Sequence, residues 1–245
     1  QQLDVVVSKL QSRYKVDITL TKPKFAFRET LRKKVKVQGK HKKQSGGHGQ
    51  YGDVIMEFEP SGDLETPYVF EEKVFGGSVP KNYFPAVEKG LQECVLKGPL
   101  AGYPVVGLKA TLLDGSYHPV DSSEMAFKMA TILAFKQGFM DAGPVLLEPI
   151  ASLKVTVPDK FTGDVMGDLN RRRGRVLGMN SLHGGKQEIV ADVPMSEMFG
   201  YNTDLRSMTG GIGVFSYEFS RYEQAPGDVQ KKEVEARTAG GEVEA

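Results

Sequence analysis

Apolar positions along this chain follow two periods, and the points where the period changes mark its elements. Leu3, Val6, Val7 and Leu10 have helical spacing, and Val16, Ile18 and Leu20 then alternate as a strand. One helix and one strand bury no core, so residues 1–22 read as the end of an incomplete domain, with a boundary at Lys22-Pro23. Val35 and Val37 open a strand-rich stretch. Val54, Met56 and Phe58 alternate with Ile55 and Glu57, and Tyr68-Val69-Phe70 resumes a strand after the turn cluster Pro60-Ser61-Gly62-Asp63. Phe84, Val87, Leu91 and Cys94 share one face of a helix predicted over 82–97, which Gly98-Pro99 stops. Val105 to Leu113 reads as a strand. Asp121 is predicted to cap the next helix, with Glu124 completing a capping box. From Met125 to Phe135 that helix is apolar at nearly every position, so burial on most sides is expected.

The remainder has the clearest pattern. Leu153, Val155 and Val157 alternate as a strand, and Phe161, Val165 and Leu169 mark a helix stopped at Gly174. Val176 and Leu177 belong to a second strand, His183-Gly184-Gly185 is a hairpin turn, and Ile189, Ala191 and Val193 form a third strand. Met198, Tyr201 and Leu205 mark a second helix, and Phe215, Tyr217 and Phe219 a fourth strand. The order βαββαβ is that of a ferredoxin-like split βαβ sandwich. Beyond Pro226 the chain is charged and nearly free of apolar residues, so residues 226–245 are expected to be a disordered tail.

Composition narrows this little. The 245 residues carry a net charge of +1 and 40% hydrophobic content, enough for more than one core. Cys94 is the only cysteine, which excludes an internal disulfide and fits a cytoplasmic compartment. No apolar run reaches the ~20 residues of a membrane span. The chain starts at Gln1 and enters apolar periodicity at once, so it reads as a fragment of a larger protein.

Charge is uneven in one place. Lys24, Arg28, Arg32, Lys33, Lys34, Lys36, Lys40, Lys42 and Lys43 crowd a segment whose only acid is Glu29, and the run empties into Ser45-Gly46-Gly47-His48-Gly49-Gln50. Phosphate attracts such lysines without regard to sequence, and glycines let backbone approach closely. A solvated hairpin fits the same residues. The match of Gly47, Gly49 and Gly52 to a dinucleotide fingerprint is a decoy, because a Lys-rich segment precedes it and a strand follows. No Walker-type phosphate loop occurs. Tyr117-His118, on a loop after a strand end, offers stacking faces of the kind that suit unpaired bases. Arg171-Arg172-Arg173 ends a helix, where the helix dipole and a polyanion partner are both readings. The four histidines have no metal-ligand spacing, and no nucleophile–base arrangement is present.

Longer strings then resemble one family. Phe27-Arg28-Glu29-Thr30, Lys43-Gln44-Ser45-Gly46-Gly47, Gly49-Gln50-Tyr51-Gly52, Gly98-Pro99-Leu100-Ala101-Gly102-Tyr103-Pro104, Val120-Asp121-Ser122-Ser123-Glu124, Gly163-Asp164-Val165-Met166-Gly167-Asp168-Leu169 and Ser196-Glu197-Met198-Phe199-Gly200-Tyr201 are similar to translation elongation factor G. The resemblance covers residues 3–226 in family order.

It implies an α+β chain: the end of domain III (1–22, partial ferredoxin-like), domain IV (23–146) and domain V (147–225, ferredoxin-like). Domain IV would have the ribosomal protein S5 domain 2-like fold with a left-handed βαβ crossover. The resemblance implies that GTP and Mg²⁺ belong to a GTPase domain upstream, and that this chain has no cofactor, metal or catalysis of its own. It implies a monomer that binds the ribosome and promotes tRNA–mRNA translocation. The expected contacts with tRNA and mRNA in the small-subunit decoding region are Ser45, Gly46, Gly47, His48, Gly49 and Gln50 on one tip loop, and Ser116, Tyr117, His118 and Asp121 on the other. Arg171, Arg172 and Arg173 would approach rRNA near the large-subunit factor-binding centre.

His48 stands where many members have Arg, and Pro119 where they have Asp. That keeps a paralogue devoted to ribosome recycling or protection in view. A small-molecule kinase of S5-like fold would need a phosphate loop entering a helix, and here the Gly-rich segment enters a strand.

Overall fold

The computed structural model describes residues 2–14, 26–44 and 46–243. The strand expected at Val16–Leu20, the boundary at Lys22-Pro23 and the tip residue Ser45 lie outside them. The fold is mixed α+β with two sheets, and it divides into two compact units. One combines residues 27–148 with 224–245; the other holds residues 149–223, with which helix α1 (Gln2–Tyr14) is grouped.

The first unit is built on a four-stranded sheet of β2 (Val35–Lys43), β3 (Gln50–Pro60), β5 (Leu108–Ser116) and β4 (Tyr68–Glu72), in that spatial order. A short strand β1 (Arg28–Thr30) lies outside it and pairs with Val145–Leu147. β2, β3 and β5 are antiparallel, while β4 runs parallel to β5 through helix α2 (Phe84–Cys94). Alternation gives the sheet a main buried face: Val37, Val54, Met56, Phe58, Ala110 and Leu112 pack against α2 and α3 (Glu124–Asp141). Glycines set how closely α3 lies on the hairpin. A Cβ at Gly39 would stand 2.1 Å from the Ala130 carbonyl oxygen, and one at Gly52 2.4 Å from that of Ala126. Neither position accepts a side chain without the helix moving away.

Three expectations change here. The third strand of the sheet starts at Leu108 rather than Val105, because Gly107 takes a left-handed conformation (φ +70°) and breaks the extension. Helix α3 is capped by Ser123, whose hydroxyl accepts from the Ala126 N–H at 3.1 Å, and not by Asp121, which is used elsewhere. Its burial is one-sided, since Met125, Leu133 and Met140 are exposed.

The largest correction concerns residues 226–245. Gly227–Ala239 form helix α6, grouped with the first unit. Arg237 donates from Nε to the Ala101 carbonyl at 2.8 Å and lies 4.3 Å over the Tyr103 ring. The Tyr103 hydroxyl donates to Glu233, and Gln230 accepts from the Leu146 N–H at 3.1 Å. Val229 and Val234 pack on the small cluster of Phe27, Ala101, Leu146 and Ala225. A chain ending at Gln224 is therefore expected to lose about 2 kcal/mol or more from the first unit. Urea unfolding followed at that unit checks it, and an unchanged midpoint would mean the helix contributes nothing.

The second unit contains β6 (Val145–Pro158, from Pro149 on), α4 (Thr162–Arg171), β7 (Arg175–Leu182), β8 (Lys186–Pro194), α5 (Tyr201–Thr209) and β9 (Val214–Gln224). The sheet order β9-β6-β8-β7 is fourth, first, third, second, as the βαββαβ reading requires. Its core is Leu153, Val155 and Val157 of β6, Ile189, Ala191 and Val193 of β8, and the inner faces of the two helices.

A candidate nucleic-acid-facing tip

β3 pairs with both β2 and β5, so the loops that follow β2 and β5 emerge at one end of the sheet. Lys43 is opposite Gln50, and Ser116 is opposite Asp53. The two loops are fastened together. The Tyr51 N–H donates to the Asp121 carbonyl at 2.9 Å, and the Ser122 hydroxyl donates to the Tyr51 carbonyl at 2.8 Å. Gly49 passes so close to Asp121 that a Cβ would lie 2.6 Å from Oδ2.

Below the loops runs a chain of polar side chains. The Ser116 hydroxyl donates to Asp53 Oδ2 at 2.7 Å, so at the 2.5 Å contact with Tyr51 the phenol is the donor. Gln38 donates to the other Asp53 oxygen at 2.8 Å. Gln50 Oε1 lies 2.8 Å from Nε2 of the buried His41. Paired buried polar groups of this kind hold a surface rigid.

His118 organises the second loop. Its Nδ1 accepts from the Val120 N–H at 3.2 Å and the Asp121 N–H at 3.0 Å, and its own N–H donates to the Ser122 hydroxyl at 2.8 Å. A ring nitrogen accepting two N–H groups carries no proton, so the hydrogen-bond network assigns the neutral ring's proton to Nε2. His118 therefore offers one donor to solvent, with its ring 6.4 Å from that of Tyr51.

The expected site residues thus separate by role. Gly46, Gly47, His48, Tyr117 and His118 are exposed, and no Cβ contact crowds Gly46. Gly49, Gln50, Ser116 and Asp121 face the neighbouring loop or strand and hold the tip in shape. Sequence reading missed a third loop. Lys73 continues β4 with an N–H bond to the Leu112 carbonyl, and Val79 then packs against Gly115, so the loop between them reaches the same end. It carries Phe75, 92% exposed, ahead of Gly76 and Gly77, both left-handed. An aromatic before Gly-Gly was the available signal. Exposed backbone, a donor and aromatic faces on a rigid base suit contact with RNA.

The arginine cluster of the second unit reads differently. Arg172 is buried: its Nε donates to Asp168 at 3.0 Å, its Nη1 to the carbonyls of Glu197 and Phe199, and its Nη2 to Asp204. The guanidinium also lies 5.0 Å over the Tyr201 ring. It is a structural centre, with four acceptors around its fork. Arg173 occupies the left-handed position after the helix (φ +59°), where Gly is usual, and pairs with Glu197 at 3.3 Å. Gly174 follows it because a Cβ there would lie 2.8 Å from the Leu169 carbonyl oxygen. Only the Arg171 side chain is mostly exposed, at 74%, although it pairs with Asp168. Asp168, Glu197 and Asp204 offset the three cations.

Among the described residues no group of side chains could hold a metal ion, and no helix is long and apolar enough to cross a membrane. Burial pushes the Cys94 thiol up to about 12, which leaves it inert.

Comparison with known proteins covers both units, with residues 224–233, grouped here with the first unit, falling in the second match. Residues 23–143 match the family model of elongation factor G, domain IV, and residues 145–233 match that of the elongation factor G C-terminus. A crystal structure of a Thermus thermophilus protein is similar, with 45% identity and a TM-score of 0.81 over 97% of this chain. The chain spans 35% of the length of that protein.

Proposed function

Because this chain belongs to the elongation factor G family and carries that family's domain IV and C-terminal domain, we propose that it is the ribosome-engaging part of a translational GTPase that moves tRNA and mRNA. The matched domains are non-catalytic ones of an elongation factor, so nucleotide hydrolysis belongs to the rest of the parent protein. The tip of domain IV faces the paired tRNA and mRNA of the decoding region and keeps them together as they move. The observation that carries this reading is the pair of loops locked through Tyr51 and Asp121. They present His48, between two glycines, and Tyr117 and His118 outward.

His118 is the residue to test. In the full-length protein His118→Ala is expected to slow single-turnover translocation while ribosome-stimulated GTP hydrolysis is largely retained. Stability of the domain should change by only about 1 kcal/mol or less, the cost of two exposed hydrogen bonds within one loop. Translocation at the unmodified rate would remove the tip from the mechanism. One observation favours a second reading: the exposed described residues of the two loops include no Lys or Arg, His48 standing where a permanent cation would hold phosphate better. A factor devoted to ribosome recycling fits that change, and a ribosome-splitting assay on the same variant separates the two.

A further inference from the structure

β2 carries a row of lysines that the tip loops do not explain. Strand alternation buries Val37, Gly39 and His41 and leaves Lys36, Lys40 and Lys42 exposed on the opposite face. The row is about 20 Å long at the usual rise per residue, lies on an edge strand, and runs straight into the first tip loop. Acids stand beside the row and keep their charge, but among the described residues none forms a close ion pair with these three lysines. Glu57, opposite Lys36, pairs with Lys34 at 3.2 Å. Asp53, opposite Lys40, accepts from Gln38 and Ser116. Asp114, which feels the charge of Lys36, accepts from the Gly115 N–H at 2.8 Å. Tyr51, opposite Lys42, has the Lys40 ammonium 5.5 Å over its ring. The result is a straight row of cations on a rigid sheet, each on a flexible stem.

We infer that Lys36, Lys40 and Lys42 form a track for the ribose-phosphate backbone of RNA, extending the tip contact along the open face of the domain IV sheet. Evenly placed ammonium groups contact phosphate without reading sequence, and such contacts fix the orientation of a nucleic acid rather than its identity. That suits a site that meets a different tRNA at every step. The inference rests on the reading of the tip as the RNA-facing end. Edge lysines also discourage strand pairing between molecules, and this role needs no ligand.

The test is binding of the full-length protein to ribosomes loaded with mRNA and tRNA, measured over a series of salt concentrations. Replacing all three lysines by Gln is expected to lower the log–log salt slope by about two and to weaken binding about tenfold or more near 0.1 M salt. The triple Lys→Arg variant should restore both. A photo-crosslinking amino acid at position 40 should capture RNA. An unchanged slope, or capture of a ribosomal protein instead of RNA, overturns the track. An unchanged slope combined with greater self-association shows edge protection in its place. His118→Ala decides the tip separately: if that variant translocates normally the tip reading fails, while the lysine slope still decides the track.

Discussion

Replacing Arg172 by alanine is expected to destabilise domain V by about 3–5 kcal/mol, the usual cost of removing one partner from a buried ion pair. Arg172 bridges the end of α4 to the start of α5 through Asp168, Asp204 and two carbonyls. Without it, the Asp168 carboxylate keeps only an exposed partner, Arg171, and remains almost fully buried. Lysine should rescue poorly, because an ammonium cannot reproduce a fork that reaches four acceptors and stacks on Tyr201. Arg171→Ala, at an exposed pair, should cost well under about 1 kcal/mol. Thermal or urea unfolding of the two variants side by side settles the matter. A loss below about 1 kcal/mol for Arg172→Ala would show that the pairs contribute little.

Glu29→Gln is expected to cost domain IV about 3 kcal/mol or more, since it strands buried backbone donors. The Glu29 carboxylate is fully buried and accepts from the N–H groups of Leu100, Ala101 and Tyr103 at 2.8–3.0 Å. Gly98 leaves it room, as a Cβ there would lie 2.1 Å from Oε1. An amide can turn only one oxygen toward these donors and must set its own NH₂ against the others. Burial pushes the Glu29 carboxyl above its usual range, and the three N–H groups and Arg237 pull it back. The sign follows from the upward direction. The neutral form is favoured on folding, so its contribution is complete below the ordinary carboxylate range and falls as pH rises through the raised value. Unfolding of wild type and Glu29→Gln across pH should show that slope in wild type alone. Equal midpoints for the two proteins at every pH would remove Glu29 from the account.

Much of this architecture could be read in advance because both sheets have one wet face. Leu153, Val155 and Val157 alternate with polar residues, and Val54, Met56 and Phe58 do so but for Ile55, a period with one structural meaning. Helix α6 escaped for the opposite reason. Its inward stripe of Gln230, Glu233, Val234 and Arg237 has correct helical spacing, but three of the four are polar and bind through hydrogen bonds. Hydropathy is blind to such a face. The structural network of Arg172 was not legible because its partners Glu197, Phe199 and Asp204 lie 25–32 residues further along the chain. The first tip loop was located by its glycines and the second by Tyr117-His118 after a strand end, but which of their side chains point outward depends on pairing across β3.

The return of α6 bears on how the protein is made. Domain IV comes first in the sequence, yet its small cluster of Phe27, Ala101 and Leu146 closes only when Ala225, Val229 and Val234 arrive. Residues 149–223 carry the whole core of the second unit in between. During synthesis the later domain can therefore finish folding while the earlier one still waits for its last helix, the reverse of the usual vectorial order. A nascent chain stalled anywhere before α6 would expose an unfinished domain IV to chaperones and proteases. The tip that is proposed to meet tRNA would then be the last part of the molecule to gain a finished foundation.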